Sequence, residues 1–160
     1  MSIGRFYAGI CALVRSTSGK YLLLKRSPDK DVGAGDWECI TGRVDQGEGF
    51  TDALRREIAE ETGLQDIQID FMIDTMHFYR GESRVENEML AVSFCCTTDR
   101  PDAVQLSWEH TEGQWWTVDE LGDHLPEGHY VIELAQRAET IRRLAPDELL
   151  AFYRAGLAPG

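Results

Sequence analysis

One helix is delimited more clearly than any other element of this 160-residue chain, and it constrains the fold most. Good helix-forming residues run from Ala53 to Glu61, after a tolerable N-cap at Gly49 and before a C-terminal glycine at Gly63. The preceding loop, residues 42–49, holds three glycines and several acids, which suits unusual backbone angles. Strand-like segments lie on both sides of this unit, so the pattern indicates an α/β fold.

Apolar and aromatic runs bounded by turn formers predict the strands. They cover residues 6–14, 21–25, 68–79, 89–97 and 114–118. Helical spacing of apolar residues follows over 130–144, and a last helix is expected over 147–154 after Pro146. This order predicts a mixed sheet covered by helices on its faces, in a single domain spanning 1–160 with C-terminal helices at about 130–155.

The charge balance limits the partners that this chain can have. Sixteen Lys and Arg against 28 Asp and Glu give a formal net charge of −12, which leaves little material for the basic face that a nucleic acid polymer requires. No apolar run reaches the roughly 18 residues of a membrane span, and the run at 6–14 meets Arg15 instead of a signal-peptide cleavage site. The four cysteines lack metal-ligand spacing and are expected to be reduced. We therefore expect a soluble cytoplasmic protein with no membrane partner.

Three carboxylates cluster on the central helix. On a helical wheel, Glu57, Glu60 and Glu61 share an arc about 100° wide, next to the apolar arc of Leu54 and Ile58. Like charges at this spacing repel by some tenths of a kcal/mol per pair, so the cluster costs stability. Oxygen ligands of this kind suit magnesium, although a solvated acidic face remains the simpler alternative for so acidic a chain.

The wider spacing favours the metal site. From Gly42 to Leu64 the chain reads GRVDQGEGFTDALRREIAEETGL, which resembles the Nudix box, G-x5-E-x7-R-E-U-x-E-E-x-G-U with U aliphatic. Every fixed position matches without a gap, and seven such residues would coincide about once in 10^8 windows. Weaker similarity extends outside the box, to residues 22–26, Trp37, and the run from Trp115 to Leu121.

The resemblance implies an α/β/α sandwich that cleaves a nucleoside diphosphate linked to another group, using Mg2+ or Mn2+. It implies that Glu57 and Glu61 are metal ligands, that Glu60 is a ligand or helper, and that Arg56 holds Glu57 in place. Further implied ligands are Glu48 and the backbone carbonyl of Thr41. The general base is Glu57 or Glu109, the latter in a loop where Nudix enzymes often place an extra acid. His110, beside it, is expected to be structural rather than catalytic.

One departure from the common Nudix pattern bears on the substrate. Ile40 and Thr41 stand where many members have Pro-Gly, which is similar to Nudix enzymes of the dihydroneopterin triphosphate and dATP type. We therefore expect a nucleoside triphosphate or similar triphosphate as substrate. Arg26 and Arg43 are candidate phosphate ligands, and Trp37 is a candidate for stacking on a base, although an aromatic residue of this kind is equally suited to a core.

Two other functions remain open at this point. The chain could be a catalytically weak Nudix module that binds nucleotides and regulates, although it has lost none of the box carboxylates. It could also be a structural protein whose acidic helix only solubilises it. A small-molecule nucleotide is the expected partner of the hydrolase and of the binding module. The sequence allows a monomer or a homodimer.

Overall fold

The computed structural model describes residues 4–157, so both ends of the predicted 1–160 domain lie outside it. Within that range the strands form one seven-stranded mixed sheet. They are β1 (Tyr7–Ser16), β2 (Tyr21–Arg26), β3 (Trp37–Glu38), β4 (Ile40–Arg43), β5 (Gln68–Tyr79), β6 (Glu88–Thr98) and β7 (His110–Trp116). The helices are α1 (Phe50–Thr62), α2 (Leu121–His124), α3 (Tyr130–Leu144) and α4 (Asp147–Gly156).

The strand order β3-β2-β1-β6-β5 puts β1 at the centre of the sheet. There β1 pairs parallel with β6 and antiparallel with β2, while β4 pairs with β1 and β7 with β2. Because successive side chains of a strand point to opposite faces, β1 supplies two separate cores. Cys11 and Leu13 face one core, and Ile10, Ala12 and Val14 face the other.

A helical layer covers each face of this sheet. Ala53, Leu54 and Ile58 of α1 pack into one core, whereas α2, α3 and α4 contribute to the other. This arrangement is an α/β/α sandwich with a mixed sheet, as the sequence predicted. Among residues 4–157, no helix is both long enough and apolar enough to cross a bilayer.

The ends of α1 follow the expected glycines. The Asp52 carboxylate accepts a hydrogen bond from the backbone N–H of the N-cap Gly49, and the C-cap Gly63 adopts a left-handed φ of 71°. The preceding segment differs from the expected loop, because Ile40–Arg43 pairs with β1 as β4. Ile40 and Thr41 are β-branched and favour a strand, whereas Gly42 does not, so the pairing with β1 is what extends the strand through Gly42 and Arg43.

Two arginines of the C-terminal helices meet one buried carboxylate of the sheet. Asp70 on β5 is fully buried and forms ion pairs with Arg142 of α3 and Arg154 of α4. Burial alone would raise the pKa of Asp70, but hydrogen bonds from Thr97 and Gln68 and the charge of Arg142 hold it below its usual value. The two helices are therefore tied to the same point of the sheet.

We expect Asp70→Ala to lower the free energy of unfolding by about 2–4 kcal/mol, because it leaves guanidinium charge buried without its partner. Asp74→Ala is the matched control, since the Asp74 side chain is partly exposed, forms its ion pair with the exposed Arg137 and otherwise accepts a hydrogen bond from the backbone N–H of Thr75. An exposed pair of this kind contributes less than about 1 kcal/mol. Urea denaturation of both variants measures the difference, and equal losses would contradict the role given to Asp70.

Candidate active site

A cleft of about 820 Å³ lies where α1, β4 and the start of β7 meet the ends of β5 and β6. Its floor is acidic and is formed by Glu38, Glu57, Glu61 and Glu109. Its lining also includes the apolar side chains of Met76, Phe78, Met89, Ala91 and Tyr130. The acidic side chains suit a cation, and the apolar side chains suit a flat apolar group.

Glu57 extends from α1 onto this floor, where its side chain is 15% exposed. One of its carboxylate oxygens, Oε1, accepts a hydrogen bond of 2.8 Å from Nη1 of Arg56. Burial raises the pKa of Glu57 above its usual value, and the Arg56 guanidinium opposes that rise. The second carboxylate oxygen has no such partner among the described residues, which leaves it available to a ligand.

The Arg56 side chain ties together the loop, the strand and the helix of the box. Its Nε and Nη2 atoms bind the two oxygens of Glu48 at 2.7 and 3.0 Å, and Nη2 also donates to the backbone carbonyl of Arg43. The guanidinium, together with the backbone N–H of Asp45, lowers the pKa of Glu48 to about 2. Glu48 is thus engaged by Arg56 in this arrangement, and it is not among the residues that line the cleft.

The backbone of Gly42 lies directly against the Glu57 side chain. A Cβ atom at Gly42 would be 2.0 Å from Cδ of Glu57 and 2.2 Å from its Cγ, distances that atoms cannot adopt. The box glycine is therefore required by this close approach.

We expect Gly42→Ala to retain the fold but to lower kcat/KM by about 10²-fold, because the flexible Glu57 side chain must move aside. Gly122→Ala provides the control, since nothing lies within 4 Å of a Cβ at Gly122. Thermal unfolding and initial rates check both parts. A fully active Gly42→Ala enzyme would contradict this reading of the contact.

Glu61 lies one turn further along α1, and its side chain is 8% exposed. Its Oε2 atom is buried without a hydrogen-bond partner among the described residues. Burial, followed by the negative charges of Glu38 and Glu57, raises the pKa of Glu61 to about 9. Unpartnered buried carboxylate oxygens are costly, so this atom marks a place for a cation or a proton.

The structure does not bring Glu60 to the same place. Its side chain is 60% exposed, pairs with Arg56 at 3.3 Å, and does not line the cleft. Thr41 does line the cleft, and its hydroxyl lies 3.4 Å from Oε2 of Glu38. Of the three helix carboxylates, Glu57 and Glu61 therefore share the site.

Glu109 and the candidate substrate residues also line the cleft, but several of them already have partners. Glu109 forms an ion pair with Lys30. Arg26 donates from Nε to the carbonyl of Val32 and from Nη1 to Glu38.

Arg43 and Trp37, the other two candidate substrate residues, contact aromatic rings. The Arg43 guanidinium lies 4.6 Å from the centre of the Tyr7 ring, a cation–π distance. The Trp37 ring packs edge-on against Trp116 at 4.8 Å, partly buried beside the core of α3. The Arg43 side chain is exposed, whereas Trp37 is only partly exposed.

Sequence reasoning did not identify Glu38, which lies at the centre of the floor. Its Oε1 atom accepts hydrogen bonds from Arg26 at 2.6 Å and from His110 at 3.1 Å. The available signal was an acid inside the otherwise apolar run Trp37 to Ile40. A charged residue in such a segment is rarely buried unless it is paired.

The chain is similar to known proteins over most of its length. The model of the NUDIX domain matches residues 5–136. The chain belongs to the Nudix family. Nucleoside triphosphatase NudI of Escherichia coli is 30% identical over 139 residues, which cover 83% of this chain and 92% of that protein. The MutT protein of Methanosarcina mazei Go1 superposes with a TM-score of 0.71 at 26% identity, covering 89% of this chain and 99% of that one.

A third relative shares only part of its length with this Nudix protein. An octanoyltransferase of Myxococcus xanthus is 30% identical over 113 residues, which cover 70% of this chain but only 30% of that protein. The resemblance seen in the sequence is therefore confirmed. As a Nudix hydrolase, the protein acts on phosphorus-containing anhydrides.

Proposed function

We propose that this Nudix hydrolase is a divalent-metal-dependent pyrophosphohydrolase of nucleoside triphosphates or similar triphosphates. One observation carries the proposal: Oε2 of Glu61 is buried and unpartnered on a floor that also holds Glu38, Glu57 and Glu109. Such a concentration of hard oxygen donors suits Mg2+ or Mn2+. NudI, whose name describes a nucleoside triphosphatase, supports the substrate class.

The proposed ligands of the cation are Glu57, Glu61 and the carbonyl of Thr41, with Glu48 and Glu60 completing the set from the edge. Across residues 4–157, no three His, Cys, Asp or Glu side chains converge into a preformed ligand cluster. The carboxylates would therefore draw together on binding, and the flexible side chains of Glu57 and Glu61 allow this. A bound Mg2+ or Mn2+ would neutralise diphosphate charge and acidify a coordinated water.

The other roles follow from the side chains around the floor. Arg56 holds Glu57 through the 2.8 Å hydrogen bond, and its contacts with Glu48 and Arg43 restrict its own movement. Glu57 or Glu109 takes the proton of the attacking water as a P–O–P bridge breaks. Arg43 and Arg26 line the cleft and are the proposed phosphate ligands, while Trp37 and the apolar side chains of the cleft would receive the base.

Hydrolysis of a substrate panel with Mg2+ or Mn2+ tests the proposal. The panel contains ribo- and deoxyribonucleoside triphosphates, oxidised dNTPs, dihydroneopterin triphosphate, ADP-ribose and dinucleoside polyphosphates. We expect pyrophosphate from at least one triphosphate, and no turnover after chelation with EDTA. Reaction in H2(18)O shows which phosphorus is attacked, because the label enters only the product that receives the water oxygen.

Two outcomes would contradict this proposal. Cleavage confined to ADP-ribose or dinucleoside polyphosphates would show that triphosphates are not the substrate class. Tight nucleotide binding with no product over hours would favour the regulatory module instead.

We also propose that residues 1–160 form one Nudix domain and that the protein is cytoplasmic. It is a monomer or a homodimer, and light scattering in solution distinguishes these two states.

A further inference from the structure

Behind the acidic floor lies a buried histidine, His110, which is not among the residues that line the cleft. His110, at the start of β7, has a side chain that is 1% exposed. Its Nε2 atom lies 3.1 Å from Oε1 of Glu38 and 3.9 Å from Oε2 of Glu61. The imidazole thus stands between two carboxylates, one from β3 and one from α1.

The orientation of the imidazole follows from these neighbours. Ionised carboxylates can only accept hydrogen bonds, so Nε2 must carry a hydrogen to bind Glu38. The other ring nitrogen, Nδ1, is buried with no partner among the described residues. The Nε2–H group of His110 therefore points toward Glu38, and the unpartnered Oε2 atom of Glu61 lies 3.9 Å from the same nitrogen.

Glu38 connects this donor to the rest of the floor. Its Oε1 accepts from Arg26 on β2 as well as from His110, and its Oε2 faces the Thr41 hydroxyl on β4. The backbone of Arg26 also pairs with that of His110, next to Glu109. One buried carboxylate thus links the segments that carry Thr41 and Glu109, two of the proposed site residues.

We propose that Glu38 and His110 are positioning residues, which hold Glu61, Thr41 and Glu109 in the arrangement that receives the divalent cation. The inference rests on the proposed function, because it assigns the support of that same site. His110 does not line the cleft, and Glu38, which does, is held by Arg26 and His110, so both side chains act on the site through other residues. Partners behind a metal ligand fix its direction, and their loss weakens metal binding about 10- to 100-fold.

The physical reason is electrostatic. Four carboxylates on one floor repel one another, and Glu61 would turn away from them if it were free to do so. The His110 imidazole fills the space behind Glu61 and offers a donor to the row of carboxylates. Arg26 forms an ion pair with Glu38 at 2.6 Å, which offsets the cost of burying that carboxylate.

Mn2+ binding to the full chain without substrate, followed by electron paramagnetic resonance, tests this inference directly. We expect His110→Leu to raise the Kd for Mn2+ about 10- to 100-fold. Its kcat should recover in part at high metal concentration, and its KM for substrate should change little. His110→Gln, whose amide nitrogen can replace Nε2, should restore binding to within a few-fold of the wild type. His124→Leu, at an exposed histidine stacked on Trp116, is the control and should bind normally.

Glu38→Gln keeps the test decisive if His110→Leu does not fold. It retains an acceptor for His110 but removes the charge that Arg26 and His110 share, so we expect weaker Mn2+ binding than in the wild type. The double variant Glu38→Gln, His110→Leu should lose less affinity than the sum of the two single losses, since both variants remove the Glu38–His110 contact.

The outcomes separate this inference from the proposed function. Wild-type Mn2+ affinity in His110→Leu, or in Glu38→Gln where His110→Leu is unfolded, would overturn the positioning role and leave the proposed function intact. Strictly additive losses in the double variant would also overturn it. A wild-type protein that binds no Mn2+ would instead contradict the proposed function itself.

Discussion

Glu57→Gln is expected to lower kcat by about 10³-fold while the melting temperature stays close to that of the wild type. The glutamine has the same shape, fits against Gly42, and can still accept the hydrogen bond from Arg56. It carries no negative charge for a cation and cannot take a proton from water. The loss should therefore appear in the chemical step rather than in the fold.

Initial rates at saturating Mg2+ with the best substrate of the panel measure this effect. Glu112→Gln is the matched control, since Glu112 is an exposed partner of Lys25 outside the cleft. Glu60→Gln should cause a smaller loss than Glu57→Gln, because the Glu60 side chain faces solvent. A Glu57→Gln enzyme with more than a tenth of wild-type kcat would remove Glu57 from the proposed chemistry.

Glu61→Gln is expected to change stability and activity in opposite directions. The pKa of Glu61 is raised from 4.5 to about 9 by burial and neighbouring acids. Between these pH values the folded chain binds more protons than the unfolded chain, so the free energy of unfolding falls as pH rises. Glutamine does not titrate, so we expect the metal-free variant to be more stable at pH 8 by about 1–3 kcal/mol.

The same substitution removes a proposed ligand, so activity and stabilisation by Mg2+ should both be lost. A cation that binds only the folded state stabilises it in proportion to the logarithm of its concentration. Urea denaturation in EDTA from pH 5.5 to 9, repeated with Mg2+, measures both effects. Glu112→Gln should follow the wild-type pH dependence. Parallel curves for Glu61→Gln and the wild type would show that Glu61 does not titrate as described.

The local signals in the sequence were sufficient for the main elements. Gly49 and Gly63 delimit α1 in the structure as they did in the sequence, because helix ends depend on residues within a few positions. The apolar runs became the strands β1, β2, β5 and β6, since a run of apolar residues bounded by turn formers is a strong strand signal. The strands β3 and β4 were missed because segments of 2 and 4 residues are too short to carry such a pattern.

The sequence likewise identified some residues of the candidate site but not how they are arranged. Box spacing alone named Glu57 and Glu61, which share the cleft, but it also grouped Glu60 with them. A helical wheel gives the angle between side chains, not the position of the sheet, and that position leaves Glu60 in solvent. Similarly, Arg26 was a candidate phosphate ligand, yet Glu38 holds it at 2.6 Å. Such a pairing between β2 and β3 leaves no trace in local spacing.

The sequence by itself determined the family, the α/β class and the segment that carries the carboxylates, because these depend on residue types at fixed separations along one helix and its loop. Only the tertiary structure decided which carboxylates share a low-dielectric floor, and that His110 stands behind it against Glu38. Burial and electrostatic coupling arise between residues far apart in the chain, such as Glu38 and His110, so they appear only when the strands and α1 are packed together.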